Sequence, residues 1–327
     1  MSDIDVNVRE RRPEALRRGY TLRGAESACG ASEVVTEMSS TAGFSLGAKP
    51  PAAASAASGT VIEARPGWRA IDFSEIWAHR ELLYFLVWRD IKVRYKQTVV
   101  GAAWAILQPL CSMVIFSIVF GKFAGIPSDG APYPIFVFAC LLCWTFFSNA
   151  VSQSGSSLVN QSHLLTKIYF PRLLVPAASI GVGLIDFALN FAVFGGIMLW
   201  YRHVPGLAIL LLPLMILLTV VTALGIGYII ASLTVAYRDF RIVVPFVLQA
   251  WMFASPVIYS TTLVPDQYRW AMSLNPMTGI IGGFRSALLG HPIDWAALGI
   301  SALIGVSVFT FGIYNFRRTE RRFADIA

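Results

Sequence analysis

The chain has 327 residues; 56% are hydrophobic, 14% are charged, the net charge is +7 and the mean hydropathy is +0.62. Soluble proteins carry about 25% charged residues, so this composition excludes a single water-soluble core. The positive charge does not point to nucleic acid. The Lys and Arg stand in short segments beside apolar runs, where they set membrane topology and meet anionic lipid, and no basic, aromatic-bearing binding domain is visible.

Residues 1–70 open with Arg9, Glu10, Arg11, Arg12, Arg17 and Arg18, and continue to KPPAAASAASG from Lys49 to Gly59. Such a segment cannot bury enough surface to offset the entropy of ordering it, so a disordered cytoplasmic arm is expected. No apolar stretch follows the arginines, which argues against a secretory signal.

Residues 72–96 read as an amphipathic helix lying in the membrane interface. Asp72 to Glu75 supply a start signal. Ile76, Leu83, Tyr84, Val87, Trp88, Ile91 and Tyr95 recur at helical spacing. Arg89, Asp90 and Arg94 fall mostly on other faces, and Lys92 and Lys96 add to the basic character. The basic stretch runs directly into an apolar run beginning at Val99. Lys and Arg accumulate on the cytoplasmic side of spans, so the chain is expected to start inside.

Residues 97–327 are expected to form a six-span domain, since a helix needs about 20 apolar residues to cross the hydrocarbon core. The spans fall at about 99–120, 134–151, 173–201, 207–236, 242–259 and 295–314. The inner loops then hold Lys167 and Arg172, Arg238 and Arg241, and the terminal Arg317, Arg318, Arg321 and Arg322. The outer loops hold Lys122, Arg202, Arg269 and Arg285. An even count keeps both termini cytoplasmic, as the charge bias requires. Gly279–Leu289 is too short to span and carries Arg285, so a short outer helix or re-entrant hairpin is expected there.

Within the spans, Gln108-Pro109 loosens the first helix, because proline removes a backbone bond. Gly181, Gly183, Gly225 and Gly227 permit close helix approach. Asp186 lies near the middle of the third span with Asn190 one turn on. A carboxylate at that depth faces protein interior; it is either part of a polar path or gate, or half of an interhelical hydrogen bond. Cys140 and Cys143 form a C-x-x-C inside an apolar run and read as packing residues, with no basic group nearby in the sequence to activate a thiol. No GxxxxGK[ST] phosphate loop and no HExxH occurs, so this is not read as an enzyme, and no cofactor or metal is assigned to it.

The string ELLYFLVWRDIKVRYKQTVVGAAWAILQPL resembles the entry signature of type-2 ABC exporter permeases, in the branch that exports O-antigen, capsule or teichoic acid. LTKIYFPRLLVP (Leu165–Pro176), YRDFRIVVPFVLQAWMFASPVIY (Tyr237–Tyr259), LNPMTGIIGGFRSALLG (Leu274–Gly290) and the terminal FRRTERRFADIA add to the resemblance. It covers about Trp68 to Ala327. It implies an all-α membrane protein in the bacterial inner membrane, acting as a homodimer with two copies of a separate ATPase that binds ATP and magnesium. It implies short outer gate helices between the fifth and sixth spans. It also implies that the loop after the second span carries a coupling helix that docks on the ATPase, with Leu165, Lys167, Tyr169, Phe170, Pro171 and Arg172 as its residues. Leu158 is expected to share a face with Leu165 and Ile168 in that short helix.

A glycan cargo needs hydrogen-bonding groups and flat aromatic faces. Trp104, Gln108, Trp144, Phe147, Asp186, Asn190 and Tyr228 are the candidates for lining its path, and Arg285 for meeting a pyrophosphate linkage or lipid headgroup. The alternatives are an exporter of a drug or lipid within the same family, and a membrane-embedded glycosyltransferase. The isolation of Asp129, Asp239, Asp266 and Asp294 in the sequence counts against the enzyme.

Overall fold

The computed structural model describes residues 77–96, 101–162, 170–203 and 205–320. The expected N-terminal arm, the start signal at Asp72–Glu75, Leu165, Lys167, Tyr169, Arg321 and Arg322 lie outside the described residues. Among those described, nine α-helices and no strand occur: α1 (Arg80–Lys96), α2 (Gly101–Phe116), α3 (Tyr133–Asn160), α4 (Leu174–Trp200), α5 (Leu212–Ala236), α6 (Phe240–Ala254), α7 (Asp266–Ser273), α8 (Pro276–Leu289) and α9 (Trp295–Glu320).

Among the described residues, five helical stretches are long and apolar enough to cross a membrane: Ala103–Phe123, Tyr133–Asn160, Leu174–Trp200, Leu207–Ala236 and Trp295–Glu320. The expected boundaries shift in three places. The first span runs past Phe116 through a wider π-helical turn to Phe123. The second does not end near residue 151. It continues to Asn160, about 42 Å of helix, so Leu158 is the end of α3 and not part of a separate loop helix. The expected span at 242–259 ends as helix at Ala254. Pro256 disfavours helical backbone at Ser255, which is extended with ψ 150°. The 15-residue α6 is about 22 Å long, short of a ~30 Å hydrocarbon core. The backbone beyond Ala254 is covered by protein: Ser255, Val257 and Ile258 are buried. The Tyr133 hydroxyl donates to the Ile258 carbonyl at 2.8 Å, and the Asn275 side-chain N–H donates to Ser255 Oγ at 2.8 Å.

The core is α3. Most of its apolar length is buried, and α2, α4, α5, α6 and α8 surround it. Pro134 stands in its first turn, where the missing N–H would have no helical partner. Packing between apolar helices draws little on the hydrophobic effect once lipid is the alternative, so close backbone contact has to supply the attraction. That is visible where α5 crosses α9. A Cβ on Gly225 would lie 2.6 Å from the backbone N and Cα of Phe309, and Gly312 meets Gly225 from the other side. At the end bearing Arg172, Arg317 and Arg318, a second cluster joins Leu158, Phe170, Leu173, Tyr228 and Phe316.

Helix α1 packs along α4. Val87 sits against Gly181, where a Cβ would come within 2.7 Å of its methyl. The face that α1 turns inward shares Val87 and Tyr95 with the periodicity reading and departs from it elsewhere. Leu86 is buried, while Tyr84 and Trp88 are 69% and 46% exposed and stack on one another. Asp90 and Arg94, expected on other faces, turn to the bundle. The reason is polar, as the partners on α3 and α4 show.

Candidate functional site

A cavity of about 530 Å³ opens between α2, α3, α4 and α6, with Arg94 of α1 at its edge. Its construction begins with Pro109. Proline lacks an N–H, so the carbonyl four residues back, that of Ala105, has no helical donor. The Asn190 side-chain N–H of α4 donates to that carbonyl at 3.2 Å, and also to the Asp186 carbonyl one turn back at 2.8 Å. The same proline that loosens α2 thus provides the acceptor that ties it to α4. Pro109, Ala105 and Asn190 all line the cavity.

One turn from Asn190, the buried Asp186 carboxylate receives two groups from α1. The Tyr95 hydroxyl donates to Oδ1, and Arg94 Nη2 lies 2.8 Å from Oδ2. Burial, with the nearby carboxylate, pushes the Tyr95 phenol up to about 12; it keeps its proton and acts as donor. Arg94 also donates to Gln153 Oε1 of α3 at 3.2 Å. Lower on the same helices, Gln161 donates to Asp90 Oδ2 at 3.2 Å, and Asp90 pairs with Arg89 at 2.7 Å. Asp186 is therefore an interhelical tie and a cavity wall at once.

The wall contributed by α3 is polar in a helix that is otherwise the apolar core. Thr145, Ser148 and Asn149 face the cavity. Beyond them Ser152, Gln153, Ser156 and Asn160 stay partly exposed at helical spacing, so a polar strip continues from the cavity to the arginine-bearing end. Aromatic side chains border the same space. Trp104 is 61% exposed and Trp144 is buried; both line the space. Gln249 of α6 adds another amide.

Of the residues singled out for a path, Trp104, Gln108, Trp144, Asp186 and Asn190 converge here. Three do not. Phe147 is fully buried, edge-on to Trp251 at 5.5 Å. Tyr228 is buried beside Phe316 and donates to the Leu173 carbonyl at 3.2 Å. Arg285 is buried in α8, its guanidinium 5.2 Å from the Phe136 ring centroid and 4.0 Å from Asp129. Each holds the bundle together away from the cavity. Phe170 is buried in the cluster with Leu158 and Tyr228, and Arg172 donates to the Glu320 carbonyl at 3.5 Å. These two anchor the entry to α4. Cys140 and Cys143 are buried free thiols, Cys143 lying 3.8 Å from the Thr219 hydroxyl.

Sequence reasoning passed over Thr145, Ser148, Asn149 and Gln249. A signal for the first three existed: TFFSNAVSQSGS places polar residues at intervals of three and four, one helix face. The Ala105 acceptor was also legible, as the carbonyl four residues before a mid-helix proline.

Hydrogen-bonding side chains, one ion pair and two indoles thus meet apolar side chains at one cavity. The family model described as ABC-2 type transporter matches residues 81–289. An O-antigen export system permease protein RfbA of Myxococcus xanthus is 29% identical over 254 residues, covering 75% of this chain and 96% of the relative. One from Klebsiella pneumoniae is 23% identical over 247 residues, covering 75% and 95%. A polysialic acid transport protein KpsM of Escherichia coli is 23% identical over 241 residues, covering 71% and 91%. The matched stretch runs from α1 through α8 and so contains the Asp186 tie, the cavity and the buried α8: the chain is a multi-pass membrane protein that belongs to the ABC-2 type transporter family.

Proposed function

We propose that this chain is the permease subunit of an ATP-driven exporter that moves a polysaccharide or lipid-linked glycan, of the O-antigen kind, across a bacterial inner membrane. The observation that carries the reading is the cavity. Hydroxyls, amides and indoles at that depth in an apolar bundle suit a cargo that is polar, long and faced with sugar C–H groups. The functions for which the relatives are named, O-antigen export and polysialic acid transport, support the same class. The lining also includes Leu141, Phe146, Phe187 and Met252, so export of a drug or lipid within the same family is the alternative reading.

The working unit is a homodimer with two copies of an ATPase that binds ATP and magnesium. Trp104, Gln108, Asn149 and Gln249 leave the cavity unroofed in one chain, and a second copy closes it. Six crossings complete the topology, α6 with its protein-covered extension to Tyr259 serving as the fifth. An even number returns Arg317 and Arg318 to the side of Arg238 and Arg241, which the charge bias favours as cytoplasmic. α7 and α8 then lie on the outer side as gate helices. The segment from Leu165 to Arg172 transmits the ATPase stroke, with Phe170, Pro171 and Arg172 passing motion into α4. Trp88, Lys92 and Lys96 of α1 meet lipid headgroups.

The test is a deletion strain assayed for surface glycan by antibody and for intracellular glycan by extraction. Loss of the surface polymer with accumulation inside, restored by the wild-type gene, is expected. Normal surface glycan in the deletion strain refutes the reading.

A further inference from the structure

The charge of the cavity wall says more about the cargo than its polarity does. Among the described lining residues, Arg94 and Asp186 are the ionisable ones. They stand 2.8 Å apart as an ion pair, and the Tyr95 hydroxyl closes the other carboxylate oxygen. The wall therefore presents no net charge and no uncommitted cation. Its remaining polar groups, such as Gln108, Asn149 and Gln249, are neutral and both donate and accept. Sugar hydroxyls find partners on such a surface. A carboxylate on every sugar finds amide donors but no net countercharge, and taking an anion out of water without one is heavily penalised.

We propose that the cavity is built to carry an uncharged glycan and discriminates against polyanionic ones, with the Arg94–Asp186 pair as the element that sets this preference. The inference rests on the glycan-exporter reading and narrows it.

The test uses the full-length chain in lipid nanodiscs. Quenching of Trp104 and Trp144 fluorescence is followed during titration with a neutral mannan oligosaccharide and with an oligosialic acid of equal length. A Trp104→Phe, Trp144→Phe variant defines the background. Half-saturation at least about tenfold lower for the mannan is expected. Asp186→Asn, which removes the carboxylate charge paired with Arg94, is expected to shift the affinity ratio toward the oligosialic acid. A unit charge at about 8 Å in an effective dielectric of about 20 is worth a factor of about 30. Because Asp186→Asn also weakens the α1 tie, Asn149→Lys provides a second added cation on an exposed cavity position, with a shift in the same direction expected. Equal or tighter oligosialic acid binding by the wild type, or an unmoved ratio in both variants, overturns the charge argument and leaves the exporter reading standing. Absence of quenching by either sugar in the wild type overturns the charge argument and the glycan reading together.

Discussion

The bond between Asn190 and the Ala105 carbonyl exists because Pro109 cannot supply an N–H, and this makes a sign-specific prediction. Asn190→Ala removes donors at 3.2 and 2.8 Å. The Asp186 carbonyl keeps its place in the α4 ladder, so its loss matters little. The Ala105 carbonyl, half-buried, is left with no backbone donor. An unsatisfied buried carbonyl costs about 1–3 kcal/mol; water reaching the cavity relieves part of this, so about 1.5 kcal/mol is expected. In a Pro109→Ala background the N–H of residue 109 recaptures the carbonyl, and Asn190→Ala should then cost about 0.5 kcal/mol or less. For about 1 kcal/mol, a domain of 150–250 residues shifts by roughly 2–4 °C. The first substitution should therefore lower the unfolding midpoint by roughly 3–6 °C and the second context should nearly abolish the effect. A thiol-reactive fluorophore reads unfolding directly, because Cys140 and Cys143 are fully buried. Equal losses in the two backgrounds would refute the account of α2 as a helix whose proline gap is closed by α4.

Three further outcomes are expected from the packing and from α1. Gly225→Ala should lower the midpoint by more than about 5 °C, since the α5 and α9 backbones must separate by about 1 Å and give up their contact energy; Gly195→Ala, with open space around it, should not. In a Cys29→Ser chain in detergent, a small maleimide should label the exposed Cys111 and leave Cys140 and Cys143 unmodified until unfolding; two or more labels per folded chain would contradict the packed α3. Tyr95→Phe should remove about 1–1.5 kcal/mol, the worth of a partly exposed hydrogen bond to a carboxylate. The folded phenol lies at about 12, above its ordinary value of about 10. Its contribution is thus complete below pH ~10 and fades as pH rises through about 12. The loss should be constant from pH 6 to 9, and a loss that shrank across that range would point to a different titrating group.

Apolar length and charge asymmetry made most of the helices readable, because a segment that crosses lipid must satisfy its own backbone and shed its charges. The end of the second span was misplaced for a physical reason. VSQSGSSLVN is polar and looked like a loop, yet it stays helical: Ser156 and Ser157 donate to the helix's own carbonyls, and Gln153 accepts from Arg94. The 242–259 segment erred in the other direction. It is apolar throughout, but Pro256 ends the helix and buried neighbours shelter the turn after it. Phe147 and Tyr228 were placed on the path because they are aromatic; their partners, Trp251 and Phe316, lie far along the chain, and no local pattern names them.

The class of this protein, its membrane residence, the existence of its long helices and the proline gap at Pro109 were determined by the order of residues alone, since each depends on neighbours within a few turns. Which side of α1 faces inward, which aromatics border the cavity, and that Asp186 answers Arg94 and Tyr95 rather than standing free, only the tertiary structure decided. These are pairings between residues some ninety positions apart, and a charge in an apolar medium takes its meaning from the partner that folding brings to it.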